Sequence, residues 1–221
     1  MNDTFLNSAY FWRVITHLGS SALLLPVFAA QSLALWTSQR VAARKWVVAL
    51  GLTILVTLAS KCLFWGWGIG SASLNFTGIS GHTVLATSIL PVVFCLYIPA
   101  ESGHLRHWGT AFGLLLALGV GLSRVVLGAH SVSEVLAGWL VGLAVSTVTI
   151  RALKDVVQPS LLAKLSTLLL VFALSGNTAN LVPTHDWEVK LALLLSGHGK
   201  PYTRHQLMAK NRAVGLPPLK N

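Results

Sequence analysis

Long apolar runs dominate this sequence of 221 residues and leave few ways for it to fold. Hydrophobic residues make up 54% of the chain and charged residues only 10%, whereas soluble domains carry about 25% charged residues. A helix that crosses a membrane needs about 20 mainly apolar residues. Hydropathy predicts six such segments, at residues 14–36, 47–67, 82–98, 108–127, 135–150 and 161–174. The sequence therefore predicts an all-α fold, a polytopic transmembrane helix bundle of about six spans.

The order of these segments predicts two regions. Residues 1–176 form the transmembrane bundle, and residues 177–221 form a basic C-terminal tail, in which 187–195 is either a short interfacial helix or part of a loose tail. The net charge of +10 comes from cations between the apolar runs and in this tail. They form no basic stripe with interleaved aromatic residues, so we expect a lipid bilayer and not nucleic acid as the partner. Cys62 and Cys95 lie inside apolar runs and predict no disulfide framework.

Charge in the short loops predicts how the bundle lies in the membrane. The segment 38–45 carries three cations, so by the positive-inside rule it faces the cytoplasm. Counting spans from there places the uncharged segments 68–81 and 129–133 outside. The loop cations that then fall inside are Arg106, Arg151 and Lys154. The tail disagrees, because six spans would place its cations outside; either the sixth segment does not cross or the tail breaks the rule.

Five ionisable residues fall at matching ends of the predicted spans. Lys61 and Arg124 lie near the outer ends of the second and fourth spans. His82 opens the third span, and the fifth opens with His130 and Glu134. Antiparallel packing through short loops brings these ends together, and ionisable residues within a membrane mark functional sites. The sequence therefore predicts one polar site at the external face.

The cations of this cluster suit a phosphate group. Lys61 and Arg124 can neutralise phosphoryl oxygens, and the planar guanidinium can bind two oxygens at once. The backbone amides of residues 80–82 can point at the same anion, because a helix begins there. The candidate phosphate-binding residues are Lys61, Ser80, Gly81 and Arg124.

His130, Glu134 and His82 are the candidate catalytic residues. His130 and Glu134 are four residues apart at a helix start and so share one face. The carboxylate can hold the imidazole in the tautomer whose other nitrogen is free to attack phosphorus. His82 approaches from the neighbouring span and can protonate the leaving oxygen as a general acid.

The motifs that carry these residues resemble the second and third signature motifs of the type-2 phosphatidic acid phosphatase family of membrane lipid phosphatases. One is Ser-Gly-His at residues 80–82; the other is Ser-Arg at 123–124, followed after five residues by His130 and then by Glu134. The resemblance covers roughly residues 61–150. It implies that His130 is a nucleophile that forms a phosphohistidine and that Glu134 orients it. It implies His82 as general acid, the same four phosphate ligands, and no need of a metal ion or other cofactor.

Four positions depart from the family pattern. The first motif is a Lys followed six residues later by Arg-Pro; Lys61 matches its Lys, but Gly68 and Ile69 stand in place of Arg and Pro. Ile79 replaces the usual Pro, and Glu134 the usual Asp, without a change of charge. The first departure removes one phosphate ligand. Restoring an arginine at position 68 is expected to raise turnover if the loss only weakened the site, and to lower it if the pocket has been rebuilt.

Other histidine motifs compete with this site. Ser-Gly-His recurs at 102–104, in a loop assigned to the cytoplasm, and at 196–198, where no apolar helix follows. Glu101, His104 and His107 resemble a metal site, but they lack a further acidic partner and are expected to be surface residues. The cluster at residues 61–134 is therefore the predicted site.

The predicted activity is that of a phosphoric ester or anhydride hydrolase acting on a membrane lipid phosphate. Candidate substrates are undecaprenyl pyrophosphate, phosphatidylglycerol phosphate, phosphatidic acid and lipid A phosphates. A lipid phosphotransferase would use the same phosphohistidine, and a non-catalytic binder or transporter of anionic lipids would need the cations but not a nucleophile. In a bacterium, we expect the inner (plasma) membrane, with the site facing the periplasm.

Overall fold

The computed structural model describes residues 3–98, 103–153 and 184–213. This part of the chain is helical, with one isolated antiparallel bridge between Ser71 and Phe76 and no β-strand. The described helices, in chain order, are α1 Asp3–His17, α2 Ser21–Ser38, α3 Arg40–Trp67, α4 Gly81–Tyr97, α5 Gly103–Val126, α6 Val132–Ala152, α7 Thr184–Ser196 and α8 Arg204–Ala213.

The long helices fit a membrane-spanning bundle. Four helical stretches are long and apolar enough to cross a membrane: Tyr10–Ser38, Arg40–Trp67, Gly103–Val126 and Val132–Ala152. Helix α4 is shorter but apolar, and most of its side chains are buried. The predicted all-α membrane bundle is thus confirmed. The predicted sixth span, 161–174, and the predicted boundary between residues 176 and 177 lie outside the described residues, so both stay predictions.

Two predicted boundaries differ from the structure. The first span is interrupted, because α1 ends at His17 and α2 begins at Ser21, with the Ser20 hydroxyl accepting a hydrogen bond from the Leu23 amide at 3.3 Å. The segment 38–45, expected as a loop, is instead mostly helical. Gln39 alone separates α2 from α3, and the three cations lie in the first turns of α3. The predicted boundary differs because hydropathy ends a span at the first charged residues, whereas the backbone hydrogen bonds of the helix continue through them.

Helix α4 is the centre of the bundle and packs against α5 and α6. Small residues allow this close approach: a Cβ on Gly142 would lie 2.7 Å from Thr87 Cβ, and one on Gly138 would lie 2.9 Å from Thr83 Cβ. The Ser80 amide, just before α4, donates to the Glu134 carbonyl in α6 at 3.2 Å. The first turn of α4 is therefore held against the first turn of α6.

The two ends of the bundle have different polar contacts. At one end, Arg106 at the start of α5 donates to the Leu153 carbonyl just after α6 at 3.0 Å, as expected for two segments on one membrane face. At the other end, α3 and α5 finish and α4 and α6 begin. The tail helix α7 packs on the last turns of α3, where Ala192 is buried. This helix includes residues 187–195, and it lies at the end of the bundle where α4 and α6 begin.

Candidate active site

The structure brings the five predicted ionisable residues together at this second end. A cavity of about 480 Å³ is lined by Lys61, His82, Arg124 and His130, and also by Gly81. Glu134 lies behind His130 with no exposed side-chain surface, and Ser80 is fully buried beside it. The convergence predicted from the alternation of spans is present, although Lys61 and Glu134 are 73 residues apart in the sequence.

His130 and Glu134 form a hydrogen-bonded pair. His130 Nδ1 donates to Glu134 Oε2 at 2.7 Å, which leaves Nε2 as the nitrogen available to a substrate. Glu134 is held by a capping box, in which the Ser131 hydroxyl accepts from the Glu134 amide at 3.4 Å and the Ser131 amide donates to the carboxylate at 3.1 Å. The same local signal that starts α6 therefore orients the carboxylate toward the imidazole.

The protonation of His130 suits a nucleophile. Burial lowers its pKa from the ordinary value, because the protonated imidazole is poorly solvated there. The hydrogen bond and charge of Glu134 act in the opposite direction, whereas the cations Arg124 and Lys61 lower the pKa further. The net direction is downward, so at neutral pH the imidazole is neutral and carries a free lone pair.

The two predicted cations both line the cavity. Arg124 Nη1 donates to the Thr16 hydroxyl at 3.0 Å, and its buried Nε has no hydrogen-bond partner among the described residues. A buried unpaired donor on a cation is costly unless an anion satisfies it. Lys61 Nζ lies near the start of α4, because a Cβ on Gly81 would be 3.7 Å from it. A phosphoryl group in this cavity would meet both cations and a helix N-terminus.

The competing histidine motifs lie elsewhere. His104 and His107 are exposed at the start of α5, at the opposite end of the bundle, and Glu101 is outside the described residues. His198 is close to the site end, but its Nδ1 donates to the Gly66 carbonyl at 2.6 Å and so anchors the tail to α3. Within the described ranges, no three His, Cys, Asp or Glu side chains form a group that could hold a metal ion.

The structure adds tail residues that the sequence interpretation missed. Arg204, which begins α8, forms a salt bridge with Glu134 through Nη2 at 2.8 Å. Glu188 in α7 forms a salt bridge with Lys61 at 2.8 Å. Thr77, in the loop before α4, donates to Glu134 from both its amide and its hydroxyl, at 2.7 and 2.6 Å. The tail thus contacts one predicted phosphate ligand and one predicted catalytic residue.

The tail also fills the space beside Gly68, where the family pattern has an arginine. Gly68 ends α3 with φ of 68°, a left-handed conformation that favours glycine. A Cβ at this position would lie 2.8 Å from a ring carbon of Tyr202. The Tyr202 amide donates to the Trp65 carbonyl at 2.9 Å, which fixes the backbone that carries this ring beside the end of α3. The geometry supports a pocket rebuilt around the missing arginine.

Replacing Gly68 with arginine is therefore expected to lower kcat by about 10-fold or more, because it strains the end of α3 and displaces Tyr202 and the nearby Arg204. The measurement is phosphate release at saturating lipid phosphate. The double variant with Tyr202→Ala removes the obstructing ring and should recover part of the loss. A single variant with higher turnover than the native chain would contradict this interpretation.

Helices long and apolar enough to span a membrane surround a cavity that holds two cations and a paired imidazole. Similarity to known proteins identifies the chain as a membrane phosphatase, a phosphoric ester hydrolase. The sequence model of the PAP2 superfamily matches residues 70–158, which include the predicted second and third motifs. The chain belongs to this superfamily, that of the type-2 phosphatidic acid phosphatases.

Two curated relatives support this membership. The chain is 33% identical over 202 residues to an uncharacterized 22.5 kDa protein in the cps region of Klebsiella pneumoniae, an alignment that covers 89% of this chain and 97% of that protein. It is 31% identical over 144 residues to phosphatidylglycerophosphatase B of Bacillus subtilis (strain 168), covering 58% of this chain and 67% of that protein. No solved structure matches the chain.

Proposed function

We propose that this protein hydrolyses a phosphomonoester or pyrophosphate of a membrane lipid through a phosphohistidine on His130. The observation that carries the proposal is the 2.7 Å pair of His130 and Glu134 beside a cavity that also holds Lys61, Arg124 and His82. A binder of anionic lipids needs the cations, but it has no use for a buried carboxylate that orients an imidazole. The chemistry of this group of residues therefore favours an enzyme.

The proposed reaction has two steps. The lone pair of His130 Nε2 forms a bond to phosphorus while the bond from phosphorus to the lipid oxygen breaks; its electron pair stays on that oxygen, which takes a proton from His82. Water then attacks the phosphohistidine, the bond to Nε2 breaks and returns its electron pair to nitrogen, and His82 accepts the proton of the water. Lys61 and Arg124 bind the phosphoryl oxygens throughout.

A second cavity supports a lipid substrate. It has a volume of about 490 Å³ and shares Lys61, Gly81 and His82 with the polar cavity. Away from these residues its lining is largely apolar and comes from α2, α3, α4 and α7; it includes Leu25, Ile54, Leu58, Leu85, Trp187 and Leu191. An acyl or prenyl chain in this groove would place its phosphate head group beside the cations.

The distribution of charge favours an external site. The cations of α3's first turns lie at the end of the bundle opposite the site, as do Arg106 and Arg151, and such clusters face the cytoplasm. In the tail, the charge of Arg204 is compensated by Glu134, which weakens the objection that the tail cations raised. Together with the bacterial relatives, this supports the inner membrane with a periplasmic site. Phosphatidylglycerol phosphate and undecaprenyl pyrophosphate are the substrates to test first.

The test is release of inorganic phosphate by the detergent-purified protein from a panel of lipid phosphates and pyrophosphates, with chelator present. We expect release from at least one lipid, together with an acid-labile phosphoenzyme trapped from labelled substrate. A folded protein that releases no phosphate and forms no phosphoenzyme would overturn the proposal. A phosphoenzyme that discharges only when an acceptor lipid is added would instead identify a phosphotransferase.

Filling the groove is expected to weaken binding of lipids but not of small phosphates. Leu58→Trp places a larger side chain among the groove residues, so KM for a long-chain lipid phosphate should rise about 10-fold, which corresponds to roughly 1.4 kcal/mol. KM for a short-chain soluble phosphate should stay the same. Leu55→Trp, an exposed position on the same helix, is the matched control and should change neither value. Equal effects on both substrates would exclude the groove as the chain-binding site.

A further inference from the structure

The carboxylate of Glu134 has an unusual set of partners, because one of them is a cation from the far end of the chain. The Arg204 Nη2 atom donates to Oε1 at 2.8 Å and to Oε2 at 2.9 Å, so it spans both oxygens. Apart from the imidazole of His130, Arg204 is the charged group bonded to Glu134 among the described residues. A fully buried carboxylate needs such a partner to remain ionised.

The guanidinium is fixed by a second group of contacts. Its Nη1 atom donates to Asn75 Oδ1 at 2.9 Å, and Nη2 donates also to the Thr77 hydroxyl at 3.0 Å. Asn75 has a left-handed backbone with φ of 51°, a conformation that asparagine tolerates better than most residues. The loop before α4 is thus shaped to receive Arg204, which is about one-third exposed and lines the same cavity as His130.

The position of Arg204 in its own helix points to a role outside that helix. It opens α8, just after Thr203, whose amide donates to the Gln206 side chain at 2.8 Å while its hydroxyl accepts from the Gln206 amide at 3.3 Å. A cation in the first turn opposes the helix dipole, so it does not stabilise α8. The salt bridge with Glu134 offsets this unfavourable interaction of Arg204 with the dipole of α8.

We propose that Arg204 is a positioning residue for the phosphatase reaction, and that the C-terminal tail is thereby part of the active site. By sharing both oxygens, Arg204 fixes the rotation of the Glu134 carboxylate and reduces its basicity. The proton then stays on His130 Nδ1, and Nε2 keeps the lone pair that attacks phosphorus. The residue acts through Glu134, so it should influence the chemical step more than the binding of substrate. This inference rests on the proposed function.

The first test compares Arg204→Gln and Arg204→Lys with the full-length native enzyme. Loss of an outer partner of a metal-binding histidine costs about 10- to 100-fold. By analogy we expect a similar fall in kcat for Arg204→Gln, with KM changed less than about 2-fold. Arg204→Lys keeps the charge and should recover a part of the activity. A rise in KM with kcat unchanged would overturn the proposal and make Arg204 a phosphate ligand.

A second readout is the pH profile of kcat/KM. The charged and titratable groups that contact His130 or line its cavity are Glu134 of α6, Arg124 of α5, Lys61 of α3, His82 of α4, His185 and Glu188 of α7, and Arg204 of α8. Removing the charge of Arg204 favours protonated His130, which cannot attack, so the acid limb should move to higher pH in Arg204→Gln. It should remain near its native position in Arg204→Lys. An unmoved acid limb in Arg204→Gln would overturn the proposal.

A purely structural role in tail docking is excluded by a control and a rescue. His198→Ala removes the hydrogen bond that anchors the tail to Gly66 and leaves Arg204 intact. It should keep kcat within about 3-fold of the native value; a loss equal to that of Arg204→Gln would overturn the proposal. Guanidinium ion added to Arg204→Ala should restore activity above a matched sodium chloride control, and no rescue would count against it. If the native chain is active in the same assay, a negative result for the Arg204 variants counts against the positioning role and not against the proposed phosphatase function. An inactive native chain would count against the proposed function itself.

Discussion

Replacing His130 with alanine is expected to reduce phosphate release from every lipid substrate by about 10⁴-fold or more, because the proposed nucleophile is lost. The fold should survive the change. The side chain is 17% exposed at a loop next to a cavity, and its side-chain hydrogen bond within the described ranges is to Glu134. The measurements are initial rates of phosphate release with chelator present, and the yield of phosphoenzyme from labelled substrate, which should fall to zero.

The matched control is His104→Ala, an exposed histidine at the opposite end of the bundle. It should leave both rate and phosphoenzyme yield unchanged. A His130→Ala protein that elutes and melts like the native one, yet still releases phosphate at a comparable rate, would show that another group attacks phosphorus. In that case His82, which also lines the cavity, would be the next nucleophile to test.

Most of the site could be predicted because its residues lie at span ends. Once spans alternate in direction, Lys61, Arg124 and the starts of α4 and α6 must meet at one end, whatever the details of packing. The motif spacing then restricted the roles further: His130 and Glu134 fall on one helical face, and the structure brings them into a hydrogen bond. The alternation of spans could not predict which groups cover this end of the bundle.

The contribution of the tail was not predictable from spacing. Arg204 is 70 residues from Glu134, and Glu188 is 127 residues from Lys61, so no local pattern links them. One signal was present in the sequence. The predicted external position of the tail cations conflicted with the positive-inside rule, and an anionic partner at that face would reduce the conflict. Glu134 was the acidic residue already assigned to that face.

The departure at Gly68 has a related explanation. Comparison of the sequence with the family pattern shows that an arginine is missing. It does not show that another side chain occupies the space. The space is filled by Tyr202, two residues before Arg204. A change near the end of α3 and a change in the tail are thus coupled through one contact, and of the two outcomes expected from the sequence for Gly68→Arg this contact favours lower turnover.

Replacing Glu134 with glutamine is expected to lower kcat by about 10³- to 10⁴-fold, as when a triad carboxylate loses its charge. The reason is that all partners of this carboxylate are donors: Thr77 on one oxygen, Ser131 and His130 on the other, and Arg204 across both. In either orientation of the glutamine amide, its NH₂ group would therefore face hydrogen-bond donors. Arg204 would also lose its anionic partner.

The two amide orientations lead to the same loss. If the NH₂ group faces His130, then Nδ1 must accept, the proton moves to Nε2, and the nucleophilic lone pair disappears. If the carbonyl faces His130, the tautomer is correct, but the amide carries no charge to stabilise the cation that forms as His130 attacks phosphorus. Glu134→Asp is the control, since it keeps the charge with one methylene less and should retain much more activity. Glutamine and aspartate variants with equal rates, both folded, would mean that charge at this position does not drive the reaction.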